Sequence, residues 1–423
     1  MRFIHIADVH LGYHQYGLDA RFDDFGQAFR WAIEWAVREG VDAILIAGDL
    51  FEKSTVPPQA YLQAATTLGR ARDARVPVVA ITGNHDRARY LDQISWLDVL
   101  AEEGYLTLLQ PALTKDAGGA DGRVPTLTLW DGHRGGYIDL GELRVIGVPW
   151  GAAGPWWPRL VEAIRSLPRR RHTVLLAHTG LEGEMGNRRG GLSYAQLVPL
   201  RDCVDYVALG HFHKPFERDG WIFNPGSLEH CAMGEHNWKK GIYDVVLDGE
   251  GFTARHVASS PRPFFRESLR VDEYRTPAAL LEAVQALAHE RAGRWSADGR
   301  APVVELALEG TLAFDRTALD LIALQDALRG AGDLLRASIA TDGLALRGME
   351  VADAERLPRD VLERDVLCEL ALNDARYAAR ADDWVETMLA IKDLALRGAT
   401  PEAIVETLGE RMATMEEAKD HGD

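Results

Sequence analysis

The stretch VPVVAITGNHD, residues 76–86, indicates the fold most directly, because a strand-like run ends in a cluster of polar side chains. Residues 76–82 are rich in β-branched and apolar side chains, which favour strands. A tight turn explains Gly, Asn and Asp in Gly83-Asn84-His85-Asp86, but it does not explain the His. The tetrapeptide supplies an amide oxygen, an imidazole and a carboxylate, so we predict that it contributes to a metal site.

Four more clusters of candidate ligands follow strand-like runs in the same way. The runs are residues 3–7, 43–47, 173–177 and 206–209, and the clusters after them are Asp8-Val9-His10, Gly48-Asp49, His178 and Gly210-His211-Phe212-His213. Sites in α/β sheets form at the carboxyl ends of the strands. We therefore expect the five clusters to converge, with enough ligands for two metal ions that share one of them.

Each cluster has a structural explanation when it is considered alone. Asp8 could cap a turn, His178 could be a structural histidine, and the pair His211 and His213 could arise by chance. Asp49 could cap a helix, although a carboxylate after an apolar strand is costly to bury unless a cation meets it. Five coincidences of position and residue type would be needed to explain the set without a metal, so we favour one metal centre with Asp49 as the bridge.

The bulk composition bounds the class of protein. A chain of 423 residues is long enough for two or three domains, and it has no apolar run that could span a bilayer. The amino-terminal residues read as a short strand and not as a signal peptide, so we expect a cytoplasmic location. Cys203, Cys231 and Cys368 are far apart and odd in number, which predicts three reduced thiols and no disulfide framework.

The charge is distributed unevenly along the chain. The formal net charge is -17; residues 1–260 carry 27 Lys and Arg against 32 Asp and Glu, or -5, and residues 261–423 carry 20 against 32, or -12. Bound divalent cations would offset part of the acidity of the first half, which could then face a phosphate backbone. The second half is less suited to that role.

Alternating apolar strands and amphipathic helices predict parallel strand pairing in the first half. Helices are expected around residues 25–38 and 59–74, and β-hairpins within residues 111–148, with strands at 126–130 and 143–148. The best linker candidate is Ser259-Ser260-Pro261-Arg262-Pro263. We therefore predict a domain over residues 1–260, a small α+β domain over residues 264–345, with a helix at 315–329, and a helical region over residues 350–423.

The ordered set of motifs resembles the calcineurin-like metallophosphoesterases, and among them the SbcD-type nucleases of double-strand-break repair. The likeness is carried by His10-Leu11-Gly12, Gly48-Asp49-Leu50-Phe51, Gly83-Asn84-His85-Asp86, Gly210-His211-Phe212-His213-Lys214-Pro215 and Asn224-Pro225-Gly226-Ser227-Leu228-Glu229. This resemblance covers residues 1–260. It implies an α/β fold in which a metallophosphoesterase β-sandwich is flanked by helices, followed by a capping domain and by C-terminal helices that bind a partner.

The same resemblance implies an activity, a ligand set and partners. The chain would be a DNA nuclease, with 3'-5' exonuclease and endonuclease action in DNA repair, recombination and replication. It would be a homodimer and would work with an SbcC-type ATPase. One metal would be held by Asp8, His10, Asp49 and His213, and the other by Asp49, Asn84, His178 and His211. This mixture of ligands suits Mn²⁺, with Fe or Zn as alternatives.

By the same resemblance His85 is not a ligand and assists the leaving oxygen at the scissile phosphate. Position 52 holds Glu52, where some family members have His, and we hypothesise that Glu52 orients His85. The alternative for Glu52 is a solvent-exposed loop acid. Arg188 and Arg189 could contact the DNA backbone, although a solvated surface pair is the commoner explanation.

Two other functions remain open from the sequence. One is a metallophosphoesterase that acts on small phosphodiesters or phosphoproteins, against which the extra residues after 260 count. The other is a non-catalytic scaffold for DNA ends or for the ATPase, against which the complete ligand set counts.

Overall fold

The strand-like runs of the sequence are strands of two six-stranded sheets in the computed structural model. The structure describes residues 1–88, 94–115, 123–151, 154, 156–186, 191–249, 251–345, 363–364, 367–368, 371, 377, 380–397 and 399–420. The strands are β1 (Arg2–Ile6), β2 (Ala43–Ile46), β3 (Val78–Ala80), β4 (Thr107–Leu108), β5 (Ala112–Lys115), β6 (Arg123–Thr126), β7 (Tyr137–Leu140), β8 (Leu143–Val148), β9 (His172–His178), β10 (Tyr206–Gly210), β11 (Phe216–Arg218), β12 (Ile222–Asn224), β13 (Gly241–Asp248), β14 (Gly251–Ala258), β15 (Phe264–Arg270), β16 (Val303–Thr311) and β17 (Arg336–Ala345).

Helices occupy most of the positions that the periodicity predicts. They are α1 (Asp19–Glu39), α2 (Pro58–Asp73), α3 (Trp96–Glu102), α4 (Trp157–Ser166), α5 (Tyr194–Leu197), α6 (Pro277–Trp295), α7 (Leu321–Arg329), α8 (Ala381–Leu396) and α9 (Pro401–Asp420). The helix predicted at residues 315–329 is shorter than expected, because the Asp320 side chain caps α7 by accepting from the Ala323 amide. None of the described helices is long and apolar enough to cross a membrane.

The first sheet has the strand order β14-β13-β1-β2-β3-β4. The strands β1, β2 and β3 pair in parallel, which confirms the pairing predicted from the strand–helix alternation. Alternate side chains of β1 point to opposite faces of the sheet. Ile4 and Ile6 pack with Phe29 and Ile33 of α1, whereas Phe3 faces the other sheet. Burial on both faces explains why these strands are mostly apolar.

The strands β9 and β10 belong to a second sheet and not to the sheet that contains β1, β2 and β3. The second sheet has the order β11-β12-β10-β9-β8-β7. Val174 and Tyr206 from this sheet pack against Phe3, Leu45 and Val79 from the first. The two sheets therefore form a sandwich with helices on its outer faces, which confirms the predicted fold class.

One predicted hairpin strand is also wrong in position. The strand expected at residues 126–130 ends at Thr126, and Leu129 forms only an isolated bridge with Tyr137. The reason is a turn directly after it, in which the Asp131 carboxylate accepts hydrogen bonds from the amides of His133 and Arg134. The strand predicted at residues 143–148 is confirmed as β8.

Compact packing divides the chain into two units. The first comprises Met1–Leu269, Thr276–Leu308 and Thr317–Asp342, and the second comprises Arg270–Arg275, Glu309–Arg316 and Gly343–Asp423. The predicted domains over residues 1–260, 264–345 and 350–423 stay predictions. Within the first unit, the predicted linker lies between β14 and β15, where the Arg262 guanidinium binds both carboxylate oxygens of Asp24 at 2.6 and 2.8 Å.

Candidate metal centre

The five ligand clusters lie together at the carboxyl ends of β1, β2, β3, β9 and β10. The backbone there is unusual, because Asp8, His10, Asp49 and His211 have φ values of 52°, 55°, 52° and 94°. They make up four of the seven residues other than glycine that have positive φ in the part of the chain that the structure describes. Such conformations are costly and concentrate at functional sites, where the surrounding structure enforces them. The strand ends are therefore shaped to aim these side chains at one place.

One group of ligands surrounds His10. The Nε2 atoms of His10 and His213 lie 3.1 Å apart, although 203 residues separate them in sequence. Ligand atoms of Asp8, His10 and Asp49 lie within 4.8 Å of one another, and all three residues are buried. Asp8 also accepts a hydrogen bond from the His211 amide through both carboxylate oxygens, at 2.9 and 3.0 Å. This contact fixes the end of β10 against the end of β1.

A second group surrounds the amide oxygen of Asn84. This oxygen lies 2.9 Å from Nδ1 of His211 and 3.1 Å from Nε2 of His178. Nε2 of His178 is also 3.2 Å from Oδ2 of Asp49. Asp49, His178 and His211 again offer ligand atoms within 4.8 Å of one another. Asp49 is thus common to both groups, as expected for a carboxylate shared by two ions.

The positions of the ring protons test whether a cation fits. Nδ1 of His178 lies 2.6 Å from the Ala47 carbonyl oxygen, to which it must donate, so the lone pair of a neutral ring is on Nε2. That lone pair faces oxygen atoms of Asn84 and Asp49, and such an arrangement is repulsive unless a cation lies between them. Without a metal, a proton serves this purpose: burial lowers the pKa of His178, but the Asp49 carboxylate raises it to about 9 overall.

The electrostatics of the other ligands also reflect close packing of charges. Burial raises the pKa of Asp49, but the adjoining His178 outweighs burial and holds this pKa well below its usual range. Burial lowers the pKa of His211 to about 4, and the neighbouring His178 adds to the shift. An anionic Asp49 and a neutral His211 are the forms that bind a divalent ion. The donor set therefore fits two divalent cations.

His85 lies beside this group and is more accessible than the ligands. Its amide donates to Oδ1 of Asp49 at 2.9 Å, and its side chain is 37% exposed. Its Nδ1 donates to the main-chain carbonyl oxygen of Glu52 at 2.7 Å. This bond places the lone pair of a neutral ring on Nε2.

The Glu52 carboxylate is not placed as the sequence hypothesis expects. Its Oε2 lies 2.9 Å from Nδ1 of His10 and 3.9 Å from Nδ1 of His85. The main chain of Glu52 therefore orients His85, and its side chain contacts a predicted metal ligand instead. The alternative of a solvent-exposed loop acid also does not hold, since the Glu52 side chain is only 16% exposed.

Asp86 holds the turn that carries Asn84 and His85. Its two carboxylate oxygens accept hydrogen bonds from the amides of Gly83 and Leu50, at 2.7 and 2.6 Å. Burial raises the pKa of Asp86 to about 7, and the Asp49 carboxylate contributes to the shift. This acid joins the ends of β2 and β3, and the composition of the turn was the only signal of its role in the sequence.

Several residues at the site carry no recognisable motif. Glu235 accepts a hydrogen bond from Nδ1 of His213 at 2.8 Å and is paired with the buried Lys240 at 2.6 Å. The Cys231 thiol belongs to a group with His10 and His213, and burial raises its pKa to about 12. The Trp150 ring lies 4.4 Å from that of His211, measured between centroids. Arg188 and Arg189 lie outside the described residues, so their predicted contact with DNA stays a prediction.

The family model for "Calcineurin-like phosphoesterase" matches residues 1–215 of this chain. Relatives with the name DNA double-strand break repair protein Mre11 also match. The protein of Aeropyrum pernix is 31% identical over 277 residues, which are 63% of this chain and 62% of that protein. The protein of Archaeoglobus fulgidus is 32% identical over 56% of this chain and 52% of its own length. The protein of Sulfolobus acidocaldarius is 36% identical over 77% of this chain and 80% of its own length. The chain thus spans less than two thirds of the first two relatives.

Proposed function

Because this chain belongs to the calcineurin-like phosphoesterases, and within them to the SbcD and Mre11 type, we propose that it is a two-metal DNA nuclease. It would hydrolyse phosphodiester bonds at DNA ends in double-strand-break repair, with Mn²⁺ as the metal and with both 3'-5' exonuclease and endonuclease action. The observation that carries this proposal is the shared position of Asp49 between two groups of ligands from five strand ends. A site for a single ion would not need a buried carboxylate in both groups.

The ligand residues would divide between two ions. Asp8, His10, Asp49 and His213 would hold one, and Asp49, Asn84, His178 and His211 would hold the other. When bound, two such ions neutralise charge on the phosphoryl group and lower the pKa of a water molecule. Their four positive charges also offset the acidity of the site, so that a polyanionic backbone can approach.

His85 would act on the leaving group. Its Nδ1 proton is committed to the Glu52 carbonyl, and its amide is bonded to Asp49, so the ring has a fixed direction relative to the shared ligand. Transfer of a proton from Nε2 of the protonated ring to the deoxyribose oxygen would then assist departure of the leaving group and leave the ring neutral. General acid catalysis of this kind contributes roughly 10²–10⁴-fold to a rate.

An exposed apolar patch supports a homodimer. Leu62 of α2, Ile94 just before α3 and Trp96 of α3 have 62%, 64% and 37% of their surface exposed. The rings of Tyr61 and Trp96 lie 5.4 Å apart between centroids, so α2 and α3 contact each other where these side chains are exposed. Apolar side chains grouped in this way are typical of an interface with another protein. A second copy of this chain is the occupant that we propose.

The C-terminal helices are the proposed contact with an SbcC-type ATPase. Leu396 of α8 and Val405 and Met412 of α9 are exposed by 75%, 67% and 42%. Amphipathic helices with exposed apolar residues commonly dock into a groove of a partner. A nuclease that acts on chromosomal ends together with an ATPase would work in the cytoplasm, which is the location that we propose.

Hydrolysis of linear duplex DNA in the presence of Mn²⁺ tests the proposed activity, with a generic aryl phosphodiester as the comparison substrate. We expect the wild type to degrade the duplex and Asp49→Asn to lose at least 100-fold in rate, because one neutral oxygen replaces the shared carboxylate. Release of nucleotides is measured with chelated protein as the blank. Turnover of the aryl ester alone would identify a small-molecule phosphodiesterase and would reject the nuclease.

A further inference from the structure

Two glutamates lie behind the two histidines that face each other at 3.1 Å. Oε2 of Glu52 is 2.9 Å from Nδ1 of His10, and Oε1 of Glu235 accepts a hydrogen bond from Nδ1 of His213 at 2.8 Å. Both glutamates are well covered, with side chains exposed by 16% and 8%. Each imidazole therefore has a carboxylate next to Nδ1, the ring nitrogen that points away from the other imidazole.

This arrangement favours a proton on Nδ1 of each ring, through a hydrogen bond at His213 and, at His10, through the nearby Glu52 carboxylate, which makes no well-directed hydrogen bond to Nδ1. A carboxylate only accepts hydrogen bonds, so Nδ1 of a neutral ring facing one must carry the hydrogen. The lone pairs of His10 and His213 are then both on Nε2, where the two rings converge. The carboxylates also make the rings more basic and hold their orientation, as acidic neighbours of metal-bound histidines do.

His178, a predicted ligand of the other ion, is oriented by a different kind of group. Nδ1 of His178 donates to a neutral main-chain carbonyl, that of Ala47. The histidines on the two sides of Asp49 thus differ in what faces Nδ1. A carboxylate faces Nδ1 of His10 and of His213, whereas a neutral carbonyl faces Nδ1 of His178. The structure provides stronger electrostatic support for a cation at His10 and His213 than for one at His178.

Glu235 is itself held in place by a buried network. Its second oxygen binds the Lys240 ammonium at 2.6 Å and accepts from the Cys231 amide at 2.9 Å. Lys240 also donates to the Ser227 hydroxyl at 2.7 Å and to the His213 carbonyl at 3.3 Å. The Lys240 side chain is fully buried, and a buried lysine is tolerated only when its charge is paired. The Glu235 carboxylate and the two further acceptors of Lys240 offset the desolvation of its ammonium group, and the same contacts hold Glu235 against His213.

We propose that Glu52 and Glu235 are a pair of positioning residues that fix the proton positions of His10 and His213 and strengthen binding of the ion between them. The inference rests on the proposed two-metal function, and it assigns to Glu52 a side-chain role at His10 in addition to its main-chain role at His85. Neither glutamate needs to touch substrate. Their loss should weaken one of the two metal-binding steps and leave the other nearly unchanged.

The test is a titration of metal-free protein with Mn²⁺ by isothermal calorimetry. The variants are Glu52→Gln, Glu235→Gln and the double variant, and we expect each single change to weaken one step by about 10- to 100-fold. Glu229→Gln is the matched control, because Glu229 is also a buried acid of the same segment but pairs with Arg21 at 3.4 Å and not with a ligand. We expect both steps of this control to stay within about threefold of the wild type, which is roughly 0.7 kcal/mol.

A second variant guards against loss of structure in the buried network. Glu235→Gln together with Lys240→Met removes both charges, and we expect it to fold and still to show the weakened step. The inference would be overturned if Glu52→Gln and the variant with Glu235→Gln and Lys240→Met both bound Mn²⁺ with wild-type affinity in both steps. Equal weakening of both binding steps would also overturn it. A wild type that binds two ions but does not cleave DNA would reject the proposed nuclease and leave this inference standing.

Discussion

Substitution of Gly83 by Ala tests the positioning of Asp49 without removing any ligand. A Cβ atom on Gly83 would lie 2.0 Å from Oδ1 and 2.5 Å from the main-chain nitrogen of Asp49. Ordinary contacts of a Cβ atom are at about 3.4 Å or more, so the carboxylate or the turn must move by roughly 1 Å. A misplacement of about 1 Å at a catalytic group can cost on the order of 10²-fold in rate.

We therefore expect Gly83→Ala to lose about 100-fold in Mn²⁺-dependent phosphodiester hydrolysis and to bind Mn²⁺ more weakly. Overpacking of this kind costs about 1–3 kcal/mol of stability, so the variant should still fold. Gly293→Ala is the control, because a Cβ there meets no atom within 4 Å and lies in α6, where Ala is favoured over Gly. Wild-type hydrolysis and Mn²⁺ affinity in Gly83→Ala, with folding verified by circular dichroism, would refute the placement of Asp49 against this turn.

Three further substitutions test the turn that Asp86 holds, the pH dependence of stability and the proposed dimer. Asp86→Asn places the NH2 group of an amide against one of two buried main-chain N–H groups. We expect the free energy of unfolding of the metal-free protein in urea to fall by about 1–3 kcal/mol. Unchanged stability would contradict the role of Asp86 in the turn. Burial lowers the pKa of His5 from 6.5 to about 3. Between these pH values only the unfolded state binds this proton, so the folding stability decreases as the pH is lowered. Between pH 7 and 4.5 this loss of stability is roughly 2 to 3 kcal/mol, and His5→Gln should remove it from the pH dependence measured by denaturant titration; an unchanged pH dependence in this variant would refute the assignment. Leu62→Glu should convert a dimer to monomers in sedimentation, Leu129→Glu should not, and a dimer in both would exclude this patch.

The sequence predicts the ligands because each follows an apolar strand, and a buried strand end leaves little freedom for the next residue. Asp8 lies two residues beyond β1 and Asp49 lies three residues beyond β2, so parallel pairing of the two strands brings them together. The parallel pairing of β9 with β10 likewise places His178 opposite Gly210, directly before His211. These positions follow from local pattern and from the geometry of a sheet.

The remaining features depend on contacts that a local pattern does not encode. Membership of β9 in a second sheet is decided by packing of the two sheets, since a fully buried strand fits the middle of either. Glu235 reaches His213 from a segment that has no ligand motif, across 22 residues. The side chain of Glu52 could extend toward either of two neighbouring histidines, and only its rotamer shows that His10 is the nearer one.

The central claim is that two ions share Asp49, and anomalous diffraction from crystals soaked in Mn²⁺ measures this directly. We expect two anomalous peaks, one on each side of the Asp49 carboxylate. One peak should be in contact with His10 and His213, and the other with Asn84 and His178. A single peak, or peaks that do not contact Asp49, would contradict the two-metal centre.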